Sequence, residues 1–107
     1  MERGIKGELD EINILVNTLK RYLQKHGKRI LTLTSLTNQR NVRVEVNALF
    51  RYFLPTPEYD KLEKLLEKIP LTRLEEKGIK LIADGKQRYF VLSTVFIRRL
   101  MEEDPSP

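Results

Sequence analysis

Two short apolar runs on either side of an Asp-Gly pair constrain this chain more than any other feature. The runs cover residues 79–83 and 88–92 and are rich in β-branched and aromatic residues, and Asp84-Gly85 lies between them. Glycine readily supplies the positive φ that a short hairpin turn needs, so the pattern predicts an antiparallel β-hairpin. A chain of 107 residues has room for one core. We expect a single domain over residues 1–107, with flexible ends at 1–7 and 104–107.

A long amphipathic pattern precedes the hairpin. Over residues 8–26 apolar side chains recur at spacings of three and four, which predicts a helix. The apolar face is formed by Leu9, Ile12, Leu15, Val16, Leu19, Tyr22 and Leu23. Gly27 follows, and glycine commonly ends a helix. We therefore expect the helix to stop at His26, whose positive form would suit the negative end of the helix dipole.

The next two segments carry weaker patterns. Residues 28–36 alternate isoleucine or leucine with threonine, which predicts a short strand. Residues 42–54 fit two structures, because their valines alternate as in a strand while Val46, Leu49 and Phe53 have helical spacing. We expect this segment to be chiefly helix, and a strand over residues 42–46 is the open alternative.

Helices are expected around the hairpin as well. Residues 56–58 (TPE) have the types preferred at an N-cap, a first helical position and a first turn, so they predict a helix start. A further short helix is expected over 71–77, and a last one over 95–103, capped by Ser93 or Thr94. The fold class is therefore α+β and mainly helical.

Composition limits the function classes. The net charge of +5 is compatible with a polyanionic partner. The chain contains no cysteine, which excludes disulfides and cysteine-ligated zinc. It has no apolar run of transmembrane length and no signal-peptide pattern, so we expect a cytoplasmic protein without membrane contact. Abundant lysine and glutamate are typical of thermophile proteins.

The order of helix, strand, helix, helix, hairpin and helix resembles the winged-helix-turn-helix class. The closest local match is residues 71–79 (LTRLEEKGI), followed by 83–86 (ADGK) and 88–92 (RYFVL), which look like the passage from recognition helix to wing in many prokaryotic regulators. The resemblance implies a winged-helix domain with a C-terminal hairpin wing followed by a terminal helix. It also implies binding to double-stranded DNA, as a transcription regulator or an accessory factor in DNA transactions.

Eleven side chains are candidates for contact with nucleic acid. Residues 28–43 form a patch without a carboxylate, whose Arg, Gln and Asn side chains can donate to phosphates and base edges. The resemblance implies further contacts at the hairpin tip and on the presumed recognition helix, although carboxylates there would repel phosphate. The candidates are Lys28, Arg29, Gln39, Arg40, Asn41, Arg43, Lys61, Lys64, Lys86, Gln87 and Arg88.

Several features of the sequence bear on functions other than DNA binding. One histidine, no cysteine and no phosphate-cradling glycine loop predict neither enzyme activity nor a metal or cofactor. The mixed charges of residues 58–68 favour an alternative, a non-catalytic interaction subunit of a replication, repair or transcription complex. The apolar residues of 96–101 fit either a homodimer or a cover for the domain's own core. Spacing assigns most aromatic side chains to the core, but it leaves Tyr52 and Tyr89 open to base stacking.

Overall fold

The computed structural model describes the backbone of residues 3–102 and the side chains of residues 11–102. Its elements are α1 (Arg3–Thr37), β1 (Asn41–Glu45), α2 (Val46–Leu49) with a 3₁₀ turn (Phe50–Tyr52), α3 (Leu62–Lys68), α4 (Leu71–Glu76), β2 (Ile79–Asp84), β3 (Gln87–Ser93) and α5 (Thr94–Glu102). The expected α+β, mainly helical class is confirmed. Of the ends expected to be flexible, residues 3–7 form backbone of α1, and residues 1–2 and 104–107 lie outside the described part.

The first helix is much longer than predicted. α1 spans 35 residues, so the predicted end at Gly27 and the predicted strand over residues 28–36 are both wrong. Threonine misled the prediction, because its hydroxyl can bond within a helix. Thr32 Oγ1 donates to the Lys28 carbonyl at 2.8 Å and Thr34 Oγ1 to the Leu31 carbonyl at 3.1 Å, which satisfies these side chains without a strand.

The actual end of α1 is set by Asn38. Its φ of 58° lies in the left-handed region, which asparagine tolerates better than most residues. The Gln39 N–H then donates to the Thr34 carbonyl at 3.0 Å, the six-to-one bond of a Schellman ending. The chain therefore leaves the helix at Asn38 and turns directly into β1.

Gly27 has a different role from the one expected. It is buried in the middle of α1, and a Cβ placed on it would lie 2.5 Å from Met101 Sδ of α5. The glycine therefore leaves room for the Met101 side chain of α5 against α1. The apolar face of α5 is directed inward, because Ile97 and Leu100 are buried and Phe96 packs against the core.

The valine-rich segment contains both of the structures weighed for it. Asn41–Glu45 is strand β1, so the strand alternative is correct there and the expectation of helix from Val42 is wrong. Helix begins only at Val46. Pairing with the hairpin explains why residues 41–45 form a strand and not a helix, because Val44 lies opposite Phe90 of β3 and both side chains are buried.

The predicted helix start at residues 56–58 is also wrong. Thr56 Oγ1 accepts the Tyr59 N–H at 2.9 Å, as an N-cap would. The Thr56 N–H also donates to the Tyr59 carbonyl at 2.9 Å, which closes a tight turn instead. The Tyr59 hydroxyl donates to the Glu11 carboxylate of α1. This tertiary contact holds the turn, and α3 begins at Leu62.

The hairpin has the predicted form. β2 and β3 pair antiparallel up to Asp84 and Gln87, which leaves Gly85 and Lys86 as the two turn residues. Gly85 has a φ of 64°, which a glycine adopts without a steric penalty. β3 lies in the centre of the sheet, in the order β1-β3-β2. Ser93 Oγ accepts the Phe96 N–H at 3.0 Å, so Ser93 caps the last helix as expected.

One core joins all the elements. The inner face of the sheet packs with α1, α2, α3 and α5 around a continuous cluster of buried apolar side chains, in which Leu15, Leu19, Leu49, Phe90 and Leu92 are fully buried. None of the helices within residues 3–102 is both long and apolar enough to cross a membrane.

The contact between α1 and α5 predicts a coupling between two substitutions. Gly27→Ala alone adds helix propensity but forces Met101 to move. In a Met101→Ala background the obstacle is gone, and Gly27→Ala should stabilise the fold by up to about 1 kcal/mol. Urea denaturation of the four proteins measures the difference. An equal effect of Gly27→Ala in both backgrounds would show that the two side chains do not compete for space.

The end of α1 gives a second stability prediction. Alanine in Asn38→Ala has the Cβ that disfavours the left-handed region but lacks the side-chain amide that can hydrogen-bond locally. The free energy of unfolding should therefore fall by about 1 kcal/mol. Asn38→Gly is the matched control and should cost nothing, because glycine adopts this φ freely. Thermal and urea unfolding of both variants test this. Equal losses in the two variants would mean that the amide, rather than the backbone conformation, is what matters.

Candidate nucleic-acid interface

The structure distributes the eleven candidate side chains over several surfaces. Gln39 and Arg40 lie at the junction of α1 and α5, and Asn41, Arg43 and Gln87 lie on the outer side of the sheet. A third group, formed by Lys61, Lys64 and Arg88, lies near α3. The remaining candidates are exposed, Lys28 and Arg29 on α1 and Lys86 in the hairpin turn. The predicted patch of residues 28–43 is therefore divided between a helix and the turn and strand that follow it.

The first surface is a polar cleft between the end of α1 and the start of α5, which we call the α1–α5 cleft. Its volume is about 500 Å³. No carboxylate is found among its lining residues, which are Thr34, Ser35, Asn38, Gln39, Arg40, Thr94 and Arg98. Two guanidinium groups, two amides and three hydroxyls in one concave site make a surface rich in hydrogen-bond donors, with a positive charge.

Local structure positions these side chains. The left-handed Asn38 turns the chain back, and the Thr94 N–H donates to the Arg40 carbonyl at 2.9 Å. This bond fixes the turn against the start of α5. The Thr37 hydroxyl lies 3.0 Å from Gln39 Oε1, which holds the Gln39 amide group beside the end of α1.

Arg98 was missed by the sequence reasoning. It lies one turn after Thr94 on α5, and both residues line the cleft. A spacing of four between a polar residue at a helix start and an arginine could have indicated a shared face. Nothing in the sequence alone places that face beside Arg40.

The second surface is the outer side of the sheet, which we call the open sheet face. Strand alternation places Arg43, Val91 and Lys80 in one row across the three strands. Glu45, Tyr89 and Ile82 form the next row. The guanidinium carbon of Arg43 lies 5.6 Å from the centre of the Tyr89 ring, a distance typical of a cation–π contact.

The two surfaces adjoin. Arg40 and Thr94 line the α1–α5 cleft, and their chain neighbours Asn41 and Ser93 line a second hollow on the sheet together with Lys80. Glu75 also lines this hollow. Lys80 was not among the predicted residues, and only the strand register shows that it lies on the same face as Arg43.

On the third surface, around α3, two of the three positive candidate side chains lie beside carboxylates. Lys64 Nζ lies 3.1 Å from Asp60 Oδ1, and the hydrogen bond from Lys64 lowers the pKa of that carboxyl. Arg88 Nη2 lies 3.7 Å from Glu63 Oε1. Lys61 lines a shallow hollow with Asp60 and Glu63. This surface therefore offers less net positive charge to a phosphate than the α1–α5 cleft does.

His26, which was expected to be a cation at a helix end, is part of an aromatic cluster with Tyr22 and Tyr52. His26 lies inside α1, so the prediction that it sits at a helix end is wrong. Its Nε2 and the Tyr52 hydroxyl share a hydrogen bond of 3.0 Å, and the Tyr22 ring meets the Tyr52 ring edge-on at 5.6 Å. Burial raises the pKa of Tyr22, and Tyr52 and Glu45 add to the increase. Tyr52 is thus engaged in packing, whereas Tyr89 lies on the open sheet face.

Within the side chains described, no three histidine or carboxylate groups are arranged to hold a metal ion. Comparison with known proteins gives no relative, because no protein family, curated protein or solved structure matches this chain.

Proposed function

We propose that this protein binds DNA as a winged-helix-type module, acting as a transcription regulator or an accessory factor in DNA transactions. The observation that carries the proposal is the α1–α5 cleft, which holds Arg40 and Arg98 and no carboxylate in its lining. Guanidinium groups bind phosphate through two parallel hydrogen bonds, and a concave site with several donors suits an oxyanion.

The arrangement of the elements supports the proposed class. A helix, a strand, short helices, a hairpin and a terminal helix follow one another, and β1 pairs with the hairpin. The resemblance to winged-helix regulators rests on the same order of element types, although its strand was expected at residues 28–36 and the observed strand is Asn41–Glu45. The hairpin turn at Lys86 would be the tip of the wing.

The proposed contact surface differs from the one that the resemblance implies. In a winged-helix regulator the recognition helix before the wing enters the groove. Here α4 directly precedes the hairpin, and its Arg73 Nη1 lies 3.8 Å from Glu76 Oε1. Near α3, Lys64 and Arg88 also face carboxylates. We therefore assign phosphate binding to Arg40 and Arg98. The amides of Gln39 and Asn41 beside them can contact base edges, since amides donate and accept together.

Removal of the two arginines tests the proposal. Arg40→Ala with Arg98→Ala should weaken binding to a labelled 20-base-pair duplex about tenfold or more at low salt. Each phosphate contact contributes about 0.9 to the slope of log K against log salt, so the slope should fall in magnitude by about 1.8. Fluorescence anisotropy at several salt concentrations measures both quantities.

A matched control comes from the surface around α3. Lys61→Ala with Lys64→Ala removes the same charge, but Lys64 already has a carboxylate partner, so the slope should change by less than half as much. Failure of the unmodified protein to bind duplex at low salt would contradict the proposal. An unchanged slope in the double arginine variant would contradict the assignment of the cleft.

A second candidate function rests on exposed apolar side chains. Phe50, Leu54 and Leu71 are 43%, 56% and 56% exposed. Phe50 lines a hollow together with the charged residues at the start of α3. Exposed apolar residues with a mixed-charge rim are typical of protein contacts, so an interaction subunit of a replication, repair or transcription complex is the alternative. It predicts that Arg40→Ala with Arg98→Ala leaves DNA affinity unchanged.

A further inference from the structure

We propose that the open sheet face binds the unpaired bases of single-stranded DNA, with a base stacked on Tyr89 and Arg43. This inference rests on the proposed DNA binding and specifies its substrate, a DNA that includes a single-stranded segment. The α1–α5 cleft then holds the phosphates of the same strand.

The position of Tyr89 carries the inference. It lies in the central strand, and its side chain is on the side of the sheet away from the buried Phe90. Beside it in the same row, Ile82 is 38% exposed. Tyr89 is half-buried, and its exposed part together with Ile82 gives an aromatic and apolar surface on which a base can stack, since every base has a face suited to it.

Arg43 extends this platform. Its guanidinium lies against the Tyr89 ring, and the flat guanidinium group can itself stack on a base while it donates to a phosphate. Lys80 is in the same row on the other side of Val91. The row of Arg43 and Lys80 therefore supplies positive charge directly beside the aromatic row.

The order of charges across the face determines on which side the phosphates of the bound DNA strand lie and on which side its bases lie. The row with Arg43 and Lys80 lies between Asn41, which adjoins the cleft, and the row of Tyr89. The carboxylates of Glu45 and Asp84 are on the side away from the cleft, and Glu75 on the cleft side lies in one hollow with Lys80. Phosphates are attracted to the cleft side, so the bases extend toward the carboxylates, which accept hydrogen bonds from exocyclic amino groups.

Duplex DNA would not use this platform. Its bases are stacked within the helix, and presenting a ring face to Tyr89 requires unstacking at a cost in free energy. An unpaired strand has its bases available already. The open sheet face therefore favours single-stranded over fully paired DNA.

The test separates base stacking from phosphate binding. Three labelled probes are titrated at low salt: a 12-nucleotide thymidine oligomer, a 12-nucleotide abasic oligomer with the same phosphates, and a blunt duplex. The unmodified protein should bind the thymidine oligomer at least about fivefold more tightly than the abasic one. Tyr89→Leu should remove most of that preference without weakening the abasic complex, whereas Tyr89→Phe should keep it.

Arg43→Ala is the second variant, because this exposed side chain can be truncated without loss of the fold. Arg43→Ala should also reduce the preference for the thymidine oligomer. Circular dichroism checks that each variant is folded. The inference is overturned if the unmodified protein shows no preference, or if Tyr89→Leu and Arg43→Ala both retain it. If these variants retain it while Arg40→Ala with Arg98→Ala loses binding to every probe, DNA binding stands and only the stacking surface is rejected.

Discussion

The close crossing of α5 over α1 is the contact on which the candidate site depends. Gly27 lets Met101 pack against the middle of α1, and this fixes α5 alongside the second half of the long helix. The Thr94 N–H then reaches the Arg40 carbonyl. Because one contact is in the middle of α1 and the other is just past its end, Arg98 faces the turn that follows α1. This packing places the two arginines on one cleft.

Charge pairing, more than the number of cations, distinguishes the surfaces. Lys64 of α3 and the hairpin residue Arg88 have carboxylates within about 4 Å, so a phosphate there must compete with groups already in place. The α1–α5 cleft has no such competitor in its lining. A surface that resembles a recognition helix in its position can therefore be less suitable for DNA than a cleft formed by two helix ends.

The sequence predicts the local features of this fold well and its long-range contacts poorly. The hairpin at Gly85 follows from turn chemistry, and the Ser93 cap from residue type. The long helix was missed because Gly27 was interpreted as a helix end, when it lies inside the helix and faces Met101 of α5, some seventy residues later in the chain. The helix start at Thr56 was wrong because Tyr59 bonds to α1. In the site, Arg40 was predicted from its carboxylate-free surroundings, but Arg98 and Lys80 depend on packing and strand register.

The central claim is that DNA occupies the α1–α5 cleft and the adjoining sheet face. A titration of ¹⁵N-labelled protein with a partly single-stranded duplex, followed by amide chemical shifts, tests it most directly. The account predicts the largest shifts at Gln39–Arg43, at Thr94–Arg98 and around Tyr89, with small ones along α3. Shifts confined to α3 and α4, or none at low salt, would contradict it.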